Sequence, residues 1–558
     1  MVFNDNTQVA PLLKDSLKRL EYRGYDSVGL ATISEGKIYI KKDKGKIDEV
    51  DARITLTDLP GNIGIGHTRW ATHGAVSKIN AHPHHCCTHK LTLVHNGIVE
   101  NFLELREEIE SKYGHEFISE CDTEVLPHLI EINLRKRRVK LKEAVVKALE
   151  KVRGEYALAI LHEDYPRQII VARKDSPLVI GVGSNAVFAA SDIPAFLHLT
   201  NRAIILEDEE IAVLTPNNVE IYKLGDPDTI VSRKPMTIEW TSEMAQKGGM
   251  PHFMLKEIHE QPRAIRNTLL IDVENIINIA NTINNAKKVF ITAAGTSYHA
   301  GLAGSYIFNS LTKTNNRALI SSEFIDKVGN VIDDDSVVLG ISQSGESMDT
   351  LSAVKFAKKA GAKILSITNV VGSSITRLSD HVINTQAGPE IGVAATKTFL
   401  VQLISLSMLG MQLGKIKGII NQSEFKDLKH HLDFLPDIVQ KTIINQEENI
   451  KNAAEQFSNK ENFLFLGRGI NTATASEGAL KLKEISYIHA ESYPAGESKH
   501  GPIALIEENF PVVFVAPPDD TQERLITNIM EMKARGAKII SVVEIDDLKI
   551  QKLSDVKF

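Results

Sequence analysis

Cysteine is nearly absent. Cys86, Cys87 and Cys121 are the only three in 558 residues, too few for a disulfide framework, which points to a reducing compartment. Positive charge is not in excess either. Lys and Arg total 64 against 71 Asp and Glu, for a net charge of −7 and a pI near 6.3. That balance argues against a nucleic-acid or anionic-membrane surface. No window approaches the ~18 uninterrupted apolar residues of a membrane span. Met1-Val2-Phe3-Asn4-Asp5-Asn6 has no basic start and no apolar run of signal length. The expectation is a cytoplasmic chain without nucleic acid or membrane as partner. Its 43% apolar and 24% charged residues are ordinary globular values, and its length suggests about three to four domains.

What is present is organised around Val337-Val338-Leu339-Gly340-Ile341-Ser342-Gln343-Ser344-Gly345-Glu346-Ser347. The apolar start reads as a strand buried on both faces. Helical spacing follows from Met348 through Leu351, Val354 and Ala357. A strand that feeds a polar turn and then a helix puts hydroxyls and free N–H groups at a helix N-terminus, a site for a phosphate. Three serines and a glutamine are more than a helix cap requires.

Residues 1–225 are rich in short strands and turns. Strands are expected at 38–40, 63–66, 91–94, 156–161, 168–172 and 187–189, and helices at 9–20 and 141–151. An α+β domain with stacked sheets suits that pattern. Residues 226–252 are irregular and read as an interdomain connection, after which helical patterning runs from 253 to about 281. Two α/β units follow, expected at 253–425 and 426–558. Gly361-Ala362-Lys363-Ile364 recurs as Gly536-Ala537-Lys538-Ile539 and Leu378-Ser379-Asp380 as Leu553-Ser554-Asp555, both 175 residues on. The strand–glycine turns at Gly295 and Gly469 are 174 apart. Three matches in nearly one register argue for a duplicated domain.

In the first part, Gly66-His67-Thr68-Arg69-Trp70-Ala71-Thr72-His73-Gly74, Asn80-Ala81-His82-Pro83-His84, His95-Asn96-Gly97 and Cys121-Asp122-Thr123-Glu124 are dense in polar groups. Arg69 suits a carboxylate, Asp122 an ammonium, and Asn96 with the Gly97 N–H an oxyanion. Carboxylate, amine and amide carbonyl together describe glutamine. Each residue alone is more often structural; the set carries the reading. His82, His84, His85, Cys86, Cys87 and His89 are crowded but lack the paired spacings of structural zinc sites, so no metal is expected.

These motifs, with Arg19-Leu20-Glu21-Tyr22-Arg23-Gly24-Tyr25-Asp26-Ser27, resemble the glutaminase domain of the glutamine–fructose-6-phosphate aminotransferase (isomerising) family. In the second part the resemblance rests on Gly295-Thr296-Ser297, Ser342 to Ser347, Glu390-Ile391-Gly392-Val393-Ala394, Glu477 to Glu484 and His500-Gly501-Pro502. It covers nearly the whole chain. It implies a four-layer αββα N-terminal-nucleophile hydrolase domain (1–225), followed by two sugar-isomerase domains with doubly wound parallel sheets. The implied activity makes D-glucosamine 6-phosphate and glutamate from L-glutamine and D-fructose 6-phosphate in a homodimer, with no metal or organic cofactor.

The resemblance also implies the sites. Arg69, Trp70, Thr72, His73, His82, Asn96, Gly97 and Asp122 would bind glutamine, with Trp70 as a lid or gate between the two sites. Thr296, Ser297, Ser342, Gln343, Ser344, Ser347 and Val393 would hold the sugar phosphate. Glu477, Lys481 and Glu484 recur at i, i+4 and i+7 on one helical face. Moving a proton between sugar carbons needs a carboxylate base beside a group that steadies an enolate or enolamine. The family gives Glu484 the base role, with Lys481 and Glu477 nearby, and His500 the ring opening, contributed across the dimer interface.

Family members begin, after removal of the initiator Met, with a catalytic Cys, and carry a Schiff-base lysine in a C-terminal tail. This chain begins Met1-Val2-Phe3 and stops three residues after Asp555, while its first repeat continues well past Asp380. Both ends are therefore expected to fall short of catalytic parts, the reading frame to continue upstream of Met1, and glutamate release to be slow. Two further readings are a sugar-phosphate sensor that has lost catalysis, and a glutaminase-independent sugar-phosphate isomerase or deaminase. The full glutamine-binding set counts against the second.

Overall fold

A computed structural model describes residues 1–21, 24–70, 74–137, 139–238 and 247–558, and the chain divides into two compact units, 1–246 and 247–558. In the first unit two antiparallel sheets stack face to face. One runs, edge to edge, 236–237, 202–205, 179–182, 186–190, 2–3, 63–69, 27–34, 37–44; the other 226–230, 218–223, 210–215, 169–174, 154–162, 91–99, 84–85. Alternate residues of both, among them Ala31, Ile33, Ile63 and Ile65 against Val94, Ala157, Leu161 and Val171, form the layer between them. Helices Phe102–Tyr113, Val125–Arg137 and Leu141–Leu149 cover the outer face of the second sheet through Leu105, Ile109, Leu126, Ile130 and Val145. Helix Val9–Lys18 covers the first sheet. It sits so close that a Cβ at Gly64 or Gly66 would come within 2.9 Å of Leu13 or Leu17. The four-layer αββα arrangement follows.

All six expected strands and both helices of this unit are present, several of them longer. The expected connection at 226–252 is corrected in its first part, where Asp226–Ile230 pairs with Asn218–Lys223 and Met236–Thr237 with Arg202–Ile205; its residues 239–246 lie outside the described residues. Both strands are sheet edges, where polar, proline-bearing sequence is tolerated.

The second unit holds two five-stranded parallel sheets. Their orders are 316–320, 288–293, 336–342, 363–368, 381–384 and 489–494, 462–467, 511–516, 538–543, 556–557. Each is 2-1-3-4-5 in its own chain order, the doubly wound arrangement. The repeat in the sequence is a repeat in space. Gly361 and Gly536 turn into the fourth strands at φ 97° and 88°, and Gly295 and Gly469 leave the first strands at 54° and 56°. The helical stretch expected after 253 is two helices, Phe253–Leu269 and Val273–Asn284. Helix Lys397–Ile416 is long and apolar enough to cross a membrane, the only such helix among the described residues, yet 61% of its apolar window is buried in the fold. Leu406, Leu409 and Leu413 join Ile279, Ile283 and Phe308 in one core, so its apolarity serves packing.

Candidate active site

In the first unit Arg69 ends strand Ile63–Arg69, and Asn96 and Gly97 lie in strand Leu91–Val99 of the facing sheet. A hydrogen bond of 2.9 Å between His67 Nε2 and Asn96 Oδ1 joins the two sheets. It occupies the amide oxygen of Asn96 and leaves its NH2 as a donor. Gly97 has φ 127°, and a Cβ there would lie 2.2 Å from the Glu155 carbonyl oxygen, so the turn of its N–H depends on glycine. Asp122 opens the short turn Asp122–Glu124, and its Oδ2 accepts the Val99 N–H at 2.8 Å. Asn96, Gly97 and Asp122 are thus fixed to one strand. Arg69 is buried, and Trp70 is 54% exposed with its ring edge-on to Tyr25 at 5.3 Å. Thr72 and His73 lie outside the described residues.

His82 is buried and stacks on His67 at 4.1 Å; its Nδ1 accepts the His95 N–H at 3.3 Å, and its Nε2 lies 3.8 Å from Cys121 Sγ. Burial, and then neighbouring positive groups, push the imidazoles of His82 and His84 well below their usual range; burial holds His67 down to about 4. They are neutral rings, able to pass hydrogen bonds but not to add charge. Lys42, brought down to about 8 by burial, donates to the carbonyls of Ala81 at 2.6 Å and Pro83 at 2.9 Å and pins the loop that carries His82.

In the second unit the chain reverses its direction of winding between the strands Lys288–Ala293 and Ser336–Ser342, which pair Ala293 with Ile341. A crevice at the carboxyl ends of the strands forms at such a point. Its two walls are Gly295–Ser297, at the start of helix Gly295–Thr312, and the serine turn 342–347 before helix Met348–Lys359. Ser342 Oγ accepts the Gly345 N–H and lies 3.0 Å from Ser347 Oγ; Ser344 Oγ accepts the Glu346 N–H at 3.1 Å. The Gln343 carbonyl accepts the Asn369 N–H at 3.1 Å. Ser297 is buried, its Oγ accepting from Gln402 at 3.0 Å.

The stripe Glu477, Lys481, Glu484 lies on helix Asn471–Ser486 and meets that same helix start. Lys481 Nζ donates to Thr296 Oγ1 at 3.0 Å, and Thr296 donates to Glu477 Oε1 at 2.9 Å. Lys481 also lies 3.3 Å from Glu477 and 2.5 Å from Glu484 Oε2. His299 Nδ1 completes the set, 2.8 Å from Glu477 Oε2. Sequence reasoning missed His299, although it lies one helical turn beyond Thr296, where i, i+3 spacing makes neighbours. His500 stands apart, exposed on the turn Ser498–His500.

Val393 is 53% exposed on a loop anchored from below. Glu257, buried on helix Phe253–Leu269, accepts the N–H groups of Ile391 at 2.6 Å and Gly392 at 3.0 Å. Burial and then the carboxylate of Glu390 push Glu257 up to about 7. Lys397 ties the far end of the loop through Glu260 at 2.6 Å and the Pro389 carbonyl at 2.7 Å.

Comparison with known proteins accounts for both units. A family model described as a glutamine amidotransferase domain matches residues 67–198, and one described as an SIS domain matches 282–412 and 456–558. The glutamine--fructose-6-phosphate aminotransferase [isomerizing] of Thermococcus kodakarensis is 48% identical over 540 residues, 97% of this chain and 89% of its own. Its counterpart in Pyrococcus horikoshii is 46% identical over 550 residues, 98% of this chain and 90% of its own. The solved C-terminal domain of glucosamine-fructose-6-phosphate aminotransferase from Francisella tularensis is 38% identical with a TM-score of 0.53, covering 56% of this chain and 90% of that one. An amidotransferase sandwich followed by two SIS sheets, with identity near one half along almost the full length, places this chain in the glutamine–fructose-6-phosphate aminotransferase (isomerising) family.

Proposed function

We propose that this protein transfers the amide nitrogen of L-glutamine to D-fructose 6-phosphate and isomerises the product to D-glucosamine 6-phosphate, releasing glutamate. The observation that carries this reading is the meeting of Thr296 with Lys481 and Glu477, which sets a phosphate crevice against an acid–base stripe. In this reading the crevice walls, Thr296, Ser297, Ser342, Gln343, Ser344 and Ser347, hold the phosphate, with Val393 at the sugar. Glu484 moves the proton between sugar carbons, and Lys481 beside it offsets the negative charge that develops on the enolate or enolamine oxygen. His500, exposed here, acts on the ring of a partner copy in a homodimer. Arg69, Trp70, Thr72, His73, His82, Asn96, Gly97 and Asp122 bind glutamine. Three free thiols suit a cytoplasmic setting.

Two measurements test the sugar half of the reaction. Calorimetry with fructose 6-phosphate is expected to show one site per chain, absent with fructose. Magnetic resonance in heavy water is expected to show solvent deuterium entering bound fructose 6-phosphate at C1. Failure to bind the phosphosugar would refute the reading.

A further inference from the structure

Away from the glutamine-binding strand ends, four side chains from three segments converge. They are Cys87 in the turn after strand His84–His85, His115 after helix Phe102–Tyr113, and His128 and Glu131 on helix Val125–Arg137. One ligand atom of each lies within 4.8 Å of all the others. Cys87 Sγ is 3.5 Å from His128 Nδ1, the two Nδ1 atoms of His115 and His128 are 2.9 Å apart, and His115 Nδ1 is 3.8 Å from Glu131 Oε2. A tetrahedral zinc ion with ~2.0–2.1 Å arms to nitrogen and oxygen and ~2.3 Å to sulfur has ligand–ligand edges of roughly 3.3–3.6 Å. The separations of 2.9, 3.5 and 3.8 Å in the cluster bracket those edges.

The polar accounting points the same way. Glu131 is 4% exposed; its Oε1 accepts from Thr88 and from Arg135 at 3.1 Å, but its Oε2, turned toward His115, is buried with no hydrogen-bond partner. A ring-to-ring hydrogen bond pairs the two Nδ1 atoms but leaves that oxygen orphaned, which is costly in a buried site. A cation satisfies all four atoms at once. The other nitrogen of His128 is buried without a hydrogen-bond partner and faces Glu124 Oε1 at 3.8 Å; a carboxylate on that side is the kind of group that orients a metal-bound histidine.

We propose that Cys87, His115, His128 and Glu131 form a structural zinc site. Thiolate, two imidazoles and one carboxylate favour zinc over magnesium or calcium. Linear spacing concealed the site, because three of its four ligands come from beyond the crowded stretch 82–89. The ion would clamp helix Val125–Arg137, and with it the turn Asp122–Glu124 directly before it, so that Asp122 is held against Val99 from behind.

The test uses the whole chain, stripped with a chelator and titrated with zinc. One tight equivalent per chain is expected, with a rise in Tm. Cobalt in its place is expected to give thiolate-to-metal charge-transfer absorption. Cys87→Ser, a substitution at an exposed position that spares the core, is expected to abolish that absorption and to weaken zinc binding at least about tenfold. His115→Ala should weaken it similarly. Cys121→Ser, which alters the separate grouping of His82, His84 and Cys121, is expected to leave absorption and affinity unchanged. Absence of stoichiometric zinc binding, or binding indifferent to Cys87→Ser, would overturn the proposal. So would absorption lost on Cys121→Ser but kept on Cys87→Ser.

Discussion

Glu257→Gln isolates one buried proton. The carboxyl is 1% exposed, and burial and then Glu390 raise it from an ordinary 4.5 to about 7. The folded chain therefore keeps this proton up to about pH 7, whereas the unfolded chain releases it near pH 4.5. Its contribution to stability is fully present below pH 4.5, falls as the pH rises toward 7, and is gone above that. The span, 7 − 4.5, corresponds to about 3 kcal/mol at about 1.4 kcal/mol per pH unit. A unit of this size unfolds with an entropy of roughly 0.65 kcal/mol per kelvin, so that energy is worth about 5 °C of Tm.

Glutamine keeps a carbonyl oxygen for the Ile391 and Gly392 N–H groups but cannot ionise. Calorimetric Tm, taken from pH 4.5 to 8 for both proteins, is the assay. The difference between variant and parent should move in the variant's favour by about 5 °C over that range. A constant difference would mean that Glu257 is ionised throughout and that its two N–H bonds outweigh the burial.

Three further outcomes are expected. Ser344→Ala removes a hydroxyl whose proton remains available to a phosphate oxygen, and calorimetry should show fructose 6-phosphate binding weaker by about 1.5–3 kcal/mol; unchanged affinity would reduce Ser344 to a turn former. Gly345→Ala places a Cβ 2.0 Å from Ser373 Oγ at φ 68°, so denaturant melts should show a loss of about 1–3 kcal/mol, and a neutral result would mean that the serine turn is free to rearrange. Glu484→Gln should slow deuterium entry at sugar C1 by about 10²–10⁴-fold while leaving phosphosugar affinity within a factor of about two; a full exchange rate would remove Glu484 from the base role.

How far the sequence could be read depends on whether a feature is continuous along the chain. The serine turn was legible because its strand, polar turn and helix start are consecutive in the chain, the pattern that a phosphate site uses. The duplication was legible because the glycines that open corresponding turns sit at nearly constant separation. Strand Ser27–Ser34 was not, since seven of its eight residues are buried and no apolar–polar alternation marks it. Helix Val125–Arg137 was hidden by the converse effect. Its inner face carries His128 and Glu131 among Leu126, Leu129 and Ile130, all buried, so the polar residues that usually mark a solvent face lie inside.

Thr296 shows why the second site needs three dimensions. From sequence it is a hydroxyl at a helix start, available to a phosphate. In the fold its Oγ1 both accepts from Lys481 and donates to Glu477, so both of its roles are taken by the other SIS domain. A phosphate in the crevice is then offered the free N–H groups at the start of helix Gly295–Thr312, and, because a phosphate oxygen accepts, any claim on the hydroxyl proton must displace Glu477. Glu477 also lies 3.3 Å from Lys481, so displacing it would alter the ion pair that holds Glu484. If the crevice holds the phosphate and Glu484 is the base, as proposed, phosphate occupancy and the position of Glu484 are linked through one threonine oxygen, a coupling that neither motif contains by itself.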